Sequence, residues 1–442
     1  MEKKAKVIGA GLAGCEAAWQ LANAGIEVTL YEMKPKKFTP AHHYNGFAEL
    51  VCSNSLKASR LESAAGLLKA EMEILGSVTV SSAKENAVEA GGALAVDREK
   101  FSDSVTEKIK SHPFIKIVED EVTDIPDGNI IIATGPLTSD AFAENIAKIC
   151  GSGLSFFDAA APIVTYESLD KELVFFASRY GRGDADYINC PMNKEEYSDF
   201  YNALITAESA ELKEFDKENF RVYEGCMPIE VLAKRGEDTM RFGPLKPVGL
   251  TDPRTGKRPY AVVQLRKENK EGTLYNLVGF QTNLKFAEQK RVFSKITGLQ
   301  NAEFMRYGVM HRNTFINSPG LLNAHFQMIE NANIYFAGQI TGVEGYMESA
   351  ASGIIAGLNM ARKLNGLEQI KLPIDTMTGA LSSYISDIYN ENNFQPMGAN
   401  MGILPELDVR IKDKKEKYAA YAQRAINSLK SELLRVGYEN NC

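Results

Sequence analysis

Apolar and polar positions along the first thirty residues fall into three short patterns. Residues 5–9 form a near-continuous apolar run, which predicts a buried strand. Residues 13–24 space their apolar positions as one face of a helix, and 27–31 ("EVTLY") read as a second strand. Strand, helix, strand at this spacing is a βαβ unit and implies a parallel sheet. Further along, "REKFSDSVTEKIKS" (98–111) predicts an amphipathic helix, and "IKIVEDEV" and "NIIIATGP" predict strands, the latter ending in a glycine turn. After about Asp158 the style changes. "ELVFFAS" predicts a strand and "NKEEYSDFYNALITAESAE" a polar-faced helix. "YAVVQL" and "TLYNLVGF" flank the charged linker "RKENKEG" as an antiparallel hairpin, and "KFAEQKRVFSKI" predicts another amphipathic helix. Around Asn331 the opening style returns, with "NIYFAGQITGVEGYMESAASGIIAGLNMARKL" reading as strand, glycine turn and helix. Residues 412–435 predict a charged helix.

This order predicts an α/β fold. A Rossmann-like parallel-sheet domain, residues 1–158 and 331–442, is interrupted by an α+β insertion, residues 159–330. The length of 442 residues suits two domains. Six cysteines, at 15, 52, 150, 190, 226 and 442, show neither a CxxC pair nor metal-type spacing, which suits a reducing cytoplasm. No apolar stretch approaches a membrane span, and the glycine-rich start does not read as a signal peptide. A net charge of −7 argues against a coat of positive charge but leaves room for a local basic groove.

Candidate chemistry begins at "GAGLAG", Gly9, Ala10, Gly11, Leu12, Ala13 and Gly14, a GxGxxG between strand and helix. Gly9 permits a tight turn, Gly11 lets the backbone approach a pyrophosphate, and Gly14 lets helix and strand pack closely. The helix N-terminus offers N–H groups and a favourable dipole to phosphates. Glu32 closes the second strand about 20 residues on, where an acid accepts hydrogen bonds from a ribose diol. Two later glycine turns favour FAD over a nicotinamide dinucleotide. "ATG" ends a strand at Gly135. "AGQITGVEGY" places Gly338, Gly342 and Gly345 before a helix beginning near Met347, whose N-terminus would favour negative charge on a reduced flavin.

Through nearly its whole length the chain resembles the TrmFO family of folate- and FAD-dependent RNA methyltransferases. The resemblance rests on "VIGAGLAG", "LYEMKP", "TPAHH", "FAELVCSNSLK", "GGALAVDR", "YEGCMPIEVLAKRG", "MRFGPLKPVGL", "YAVVQLR", "RYGVMHRNTFINSP" and "FAGQITGVEGYMESAASG". More distantly it is similar to the GidA/MnmG family, whose members are longer and modify wobble uridines. Cys15 stands where a serine is common in the family.

The resemblance implies an FAD-binding domain of the glutathione-reductase type and conversion of a uridine to 5-methyluridine. The implied substrate is the T-loop of tRNA, position 54; a few similar proteins act on ribosomal RNA. It implies methylenetetrahydrofolate as carbon donor, reduced FAD as reductant, and NADH or NADPH to recharge the flavin. Uracil C5 is a poor nucleophile until a thiolate adds at C6. The resemblance assigns the two functional thiols to Cys226 and Cys52, with Cys226 as the C6 nucleophile and Cys52 beside the flavin, although the roles are exchangeable. Lys234 and Arg235 follow Cys226 closely in sequence and would favour a thiolate. It also places His311 against the folate. The remaining cysteines read as packing residues. His42 and His43 lack partners at ligand spacing, so no metal site is expected.

RNA contact must come from local charge, and "RGEDTMRFGPLK" and "DPRTGKRPY" combine cations with aromatics. "RIKDKKEKY" also carries acids and reads as a solvated helix face. No membrane and no obligate protein partner is inferred. Two rival readings are a small-molecule flavin oxidoreductase and an RNA-binding protein that keeps flavin as structure.

Overall fold

The computed structural model describes residues 3–151, 154–159, 161–181, 184–210, 227–308 and 310–438, with backbone alone for 154–159, 310–314 and 393. The opening βαβ unit forms as its periodicity predicts: Lys4–Ile8, a helix at Leu12–Asn23, then Glu27–Glu32. These strands centre a five-stranded sheet in which Ile334–Phe336, Ile130–Ile132, Lys4–Ile8, Glu27–Glu32 and Ile115–Glu119 lie side by side, all parallel. The last strand in sequence therefore joins the sheet beside residues two hundred positions earlier. Parallel strands need helical crossovers, and their buried faces explain the runs of Ile and Val.

The helix Tyr346–Leu364 lies against Leu12–Asn23. A Cβ at Gly357 would sit 2.7 Å from the Ala17 carbonyl oxygen, so the close approach requires glycine there. One apolar core joins the parallel sheet, these helices and the amphipathic helix Lys414–Arg435. Phe315, Leu322, Phe326 and Met328 also pack in this core.

A second core lies under a six-stranded antiparallel sheet, ordered Phe175–Phe176, Tyr187–Met192, Ala261–Lys267, Leu274–Leu277, Ile163–Thr165 and Phe304–Arg306. The hairpin expected from "YAVVQL" and "TLYNLVGF" is its centre. "ELVFFAS" contributes only two strand residues, because just Phe175 and Phe176 find a partner strand. The helix expected over 193–211 stops at Ile205. Leu154–Ala159 and Met310–Phe315 pair antiparallel where the chain passes between the two cores.

Two buried acids fasten helix N-termini, a favourable place for negative charge. Glu16 accepts from the Val78 and Thr79 amides, and Glu71 from the Met377 and Thr378 amides at 2.7 and 2.8 Å. Burial outweighs these donors and pushes the Glu71 carboxyl up to about 7 from 4.5. A raised carboxyl binds its proton more tightly in the folded state. Its contribution to stability is full below pH 4.5 and is lost as pH rises through about 7. Thermal melts of Glu71→Gln against the unsubstituted protein from pH 4.5 to 8 are expected to diverge across that window. Parallel profiles would contradict the assignment.

Candidate functional site: a dinucleotide cleft and the Cys52 segment

The cleft follows from the glycine turn. Gly9 has φ +98°, and a Cβ there would lie 2.7 Å from the Ala133 carbonyl oxygen on the neighbouring strand's exit. At Gly14 a Cβ would overlap the Gly9 carbonyl, which is the helix-on-strand packing expected of the third glycine. Gly11 is different: its Cβ would meet nothing within 4 Å, and it begins a helix whose first turn has no side-chain cap. Unmet N–H groups and open space coincide there, as a pyrophosphate requires.

This turn borders an open cleft between the glycine loop, the end of the second strand and the start of the helix Tyr346–Leu364. Of the sequence-selected residues, Gly9, Ala10, Gly11, Leu12, Ala13, Glu32, Gly135 and Gly338 border it. Gly14 lies behind it as packing. Gly345, φ +117°, starts the helix Tyr346–Leu364 one residue before the cleft-lining Tyr346. The Glu32 carboxylate is buried, and each oxygen takes one backbone amide, from Ala10 at 2.9 Å and Lys34 at 3.0 Å. Each oxygen retains a lone pair for a ribose hydroxyl. Gly-rich turn, buried acid and the two late turns at Gly135 and Gly338 fit the adenosine, pyrophosphate and ring portions of FAD.

Sequence reasoning missed Lys34. Its ammonium is buried and bonds the Tyr44 and Gly46 carbonyls at 3.0 and 2.6 Å, with Glu49 at 3.4 Å. It ties the 41–51 segment to the end of the second strand, so that His42, Glu49 and Val51 face the same cleft. His42 is held down from its ordinary pKa by burial and meets Thr39 Oγ1 at 2.6 Å. The irregular stretch 41–51 thus serves two faces: His42, Ala48, Glu49 and Val51 wall the cleft, while Phe47 and Leu50 pack into the first core.

Cys52 lies just past that wall, half-buried. Its amide donates to the Tyr346 hydroxyl at 2.6 Å, and the Ser53 amide to the same oxygen at 3.1 Å. Burial first, then the neighbouring Cys52, pushes the Tyr346 phenol above its ordinary range, so it stays protonated. Three arginines surround the segment. Arg98 donates to the Leu50 carbonyl at 2.6 Å, Arg306 to the Val51 carbonyl at 2.6 Å, and Arg266 to Ser53 Oγ at 2.7 Å and Asn54 Oδ1 at 2.9 Å. Glu268 pairs with Arg98 at 2.7 Å. No sequence signal separates these arginines or Tyr346 from any others, because their partners are dozens to hundreds of residues away.

Cys226 lies outside the described residues, as does Cys442. The chain re-enters at Met227, and Ile229 N–H donates to the Gln281 carbonyl in the second core. His311 stands in the strand Met310–Phe315, paired with Asp158. Cys15 and Cys190 are buried, and burial pushes both thiols up; Cys150 is pushed up to about 12. In the basic stretches, Arg241 lies 3.6 Å over the Tyr260 ring and Arg254 is held by Asp252 at 2.8 Å, while Lys246, Lys257 and Arg258 are exposed. Among the described residues no cluster of three or more His, Cys, Asp or Glu is arranged to hold a metal ion, and no helix is long and apolar enough to cross a membrane.

Comparison with known proteins adds to this geometry. Solved structures of Aquifex aeolicus GidA in two crystal forms superpose with TM-scores of 0.67 and 0.69 at 15% identity, covering 98% and 97% of this chain and 76% of theirs. At that identity the likeness concerns the fold, the Rossmann-like FAD-binding α/β fold. Residues 4–368 match the family model described as glucose inhibited division protein A. A protein of Acetivibrio thermocellus named methylenetetrahydrofolate--tRNA-(uracil-5-)-methyltransferase TrmFO is 61% identical over 426 residues, covering 96% of this chain and 97% of its own. One of the same name from Enterococcus faecalis is 58% identical over 97% of this chain and 98% of its own. With a GxGxxG cleft, a buried ribose acid and near full-length identity of this order, the chain belongs to the TrmFO family, within the wider glucose inhibited division protein A family.

Proposed function

We propose that this protein transfers a one-carbon unit from methylenetetrahydrofolate to C5 of a uridine in tRNA and reduces it to a methyl group, forming 5-methyluridine. The target is the T-loop uridine at position 54, and the setting is the cytoplasm. The observation that carries the reading is that Cys52 directly follows the cleft-lining Val51 and donates its amide to the hydroxyl of the cleft-lining Tyr346. A half-buried thiol beside a flavin site is what transfer of a one-carbon unit past a redox cofactor needs.

FAD, when bound, supplies the two electrons that take a formaldehyde-level carbon to a methyl group, and NADH or NADPH restores them. The chain's own residues do the rest. Gly9, Gly11 and the open helix start receive the pyrophosphate, and Glu32 orients the ribose. Cys226 adds to C6 of the uracil, which makes C5 nucleophilic, and leaves again when the C5 proton has been lost. Cys52 stands at the flavin side of the site. His311 takes the folate, where an imidazole face stacks on a pterin. Lys246, Lys257 and Arg258, exposed on the insertion, supply cations for the RNA backbone.

The test supplies the flavin-loaded protein with methylenetetrahydrofolate and NADH or NADPH, and with unmodified transcripts of tRNA and ribosomal RNA. Nucleoside mass then scores 5-methyluridine. Product on tRNA alone, lost when the T-loop uridine is replaced by cytidine, is the expected result. Product on ribosomal RNA alone would move the substrate, and flavin oxidation without RNA product would favour a small-molecule oxidoreductase.

A further inference from the structure

The register of the insertion sheet carries a second message about Cys52. Arg266 pairs with Asn276, Asn276 with Ile163, and Ile163 with Arg306. Directly opposed residues in antiparallel strands point to the same face. The rows on either side, Leu265 with Leu277 and Tyr275 with Val164, pack in the second core. Successive residues alternate faces, so Arg266 and Asn276 point away from that core; the strand's register shifts between Phe304 and Arg306, and past that irregularity Arg306 lies on the same side, where it meets the Val51 carbonyl.

The segment 51–54 lies across this row. Arg306 holds its start through the Val51 carbonyl, and Arg266 holds its end through Ser53 and Asn54. Asn54, wholly buried, returns a bond from Nδ2 to the Lys267 carbonyl at 2.8 Å. Cys52 is the residue between the two anchors. The row is also oddly provisioned for a purely structural joint. Asn276 Nδ2 and Arg306 Nε are buried and, among the described residues, have no hydrogen-bond partner. Among the described residues, Glu268 is the one carboxylate bonded to any of the three arginines, and it bonds Arg98. A joint selected for stability alone would satisfy or replace such groups. Positive charge and unmet donors instead lie in the row across which the Cys52 segment runs.

We propose that Arg266 and Arg306 are positioning residues through which the insertion domain sets the place of Cys52 at the cleft. The consequence for turnover rests on the reading of Cys52 as a functional thiol; the tether itself does not. The segment is thereby held from two sides, by Tyr346 and Arg98 on one and by Arg266 and Arg306 on the other, and the second pair ties its position to the insertion sheet.

The experiment uses the flavin-loaded full chain with Arg306→Met and Arg306→Lys, and with Arg266→Gln as a second route should the methionine variant fail to fold. Hydrogen exchange of the 50–57 peptide reports the tether, and steady-state methylation of a tRNA transcript reports function. Losing one charge-assisted bond is expected to speed exchange of the Cys52 and Ser53 amides about tenfold. It is expected to lower kcat about tenfold, with KM for RNA within about twofold, flavin content unchanged, and partial recovery in Arg306→Lys. Exchange within about twofold of the unsubstituted protein, or an unmoved kcat, would overturn the proposal. Cys52→Ala run alongside separates the two ideas. Full turnover in that variant would sink the functional thiol and leave the exchange result to decide the tether.

Discussion

Cys52→Ala is expected to lose 5-methyluridine formation by on the order of a thousandfold or more, with flavin still bound. The magnitude follows from chemistry that has no substitute group: Cys52 is half-buried beside the cleft, whereas Cys15 is wholly buried behind the glycine turn and Cys190 in the second core. Flavin should survive because the Cys52 amide, which the substitution keeps, makes the contact with Tyr346. Cys226→Ala is expected to lose turnover to a similar extent and also to lose any covalent complex with RNA. Denaturing gels with a 5-fluorouridine transcript read that complex, since a C5 fluorine blocks the proton loss that releases the enzyme. If Cys226→Ala keeps the complex and Cys52→Ala loses it, the two thiols exchange roles. Cys190→Ala serves as control. Its thiol packs in the second core, so that substitution should lower the melting temperature and leave flavin-normalised turnover unchanged.

The second large effect separates two glycines that look alike in sequence. Gly14→Ala would drive a methyl group into the Gly9 carbonyl, at the contact between the first helix and the first strand. The strain is expected to destabilise the protein, with or without flavin, by about 1–3 kcal/mol. Gly11→Ala meets no protein atom and should leave the melting temperature of flavin-free protein unchanged. Its methyl would instead occupy the space open to the pyrophosphate, so FAD affinity should fall at least about tenfold. Melts of flavin-free protein and titration with FAD distinguish the two. Tight FAD binding by Gly11→Ala would remove the pyrophosphate from that position.

Elements whose order is local were legible before any coordinates. The helix over 98–111 matches Arg98–Ser111, and the opening βαβ unit ends within a residue or two of its pattern. Glycines bordering a dinucleotide cleft were legible for the same reason: each answers to a turn a few residues long. Nothing in the periodicity marked Lys34, Tyr346 or the three arginines. Ordinary lysines and arginines face water, and what distinguishes these is a partner brought in by the fold.

By itself the sequence determined the parallel-sheet style at both ends, the dinucleotide turn with its acid at Glu32, and the family. All depend on short-range spacing or on the residues themselves. Tertiary structure alone decided that Ile334–Phe336 closes the sheet beside Ile130–Ile132, and that Tyr346 reaches Cys52 across 294 positions. It also decided that a row of the insertion sheet grips the segment carrying the thiol. Such contacts form only once two cores have been buried and laid against each other, so no window along the chain contains the information that sets them.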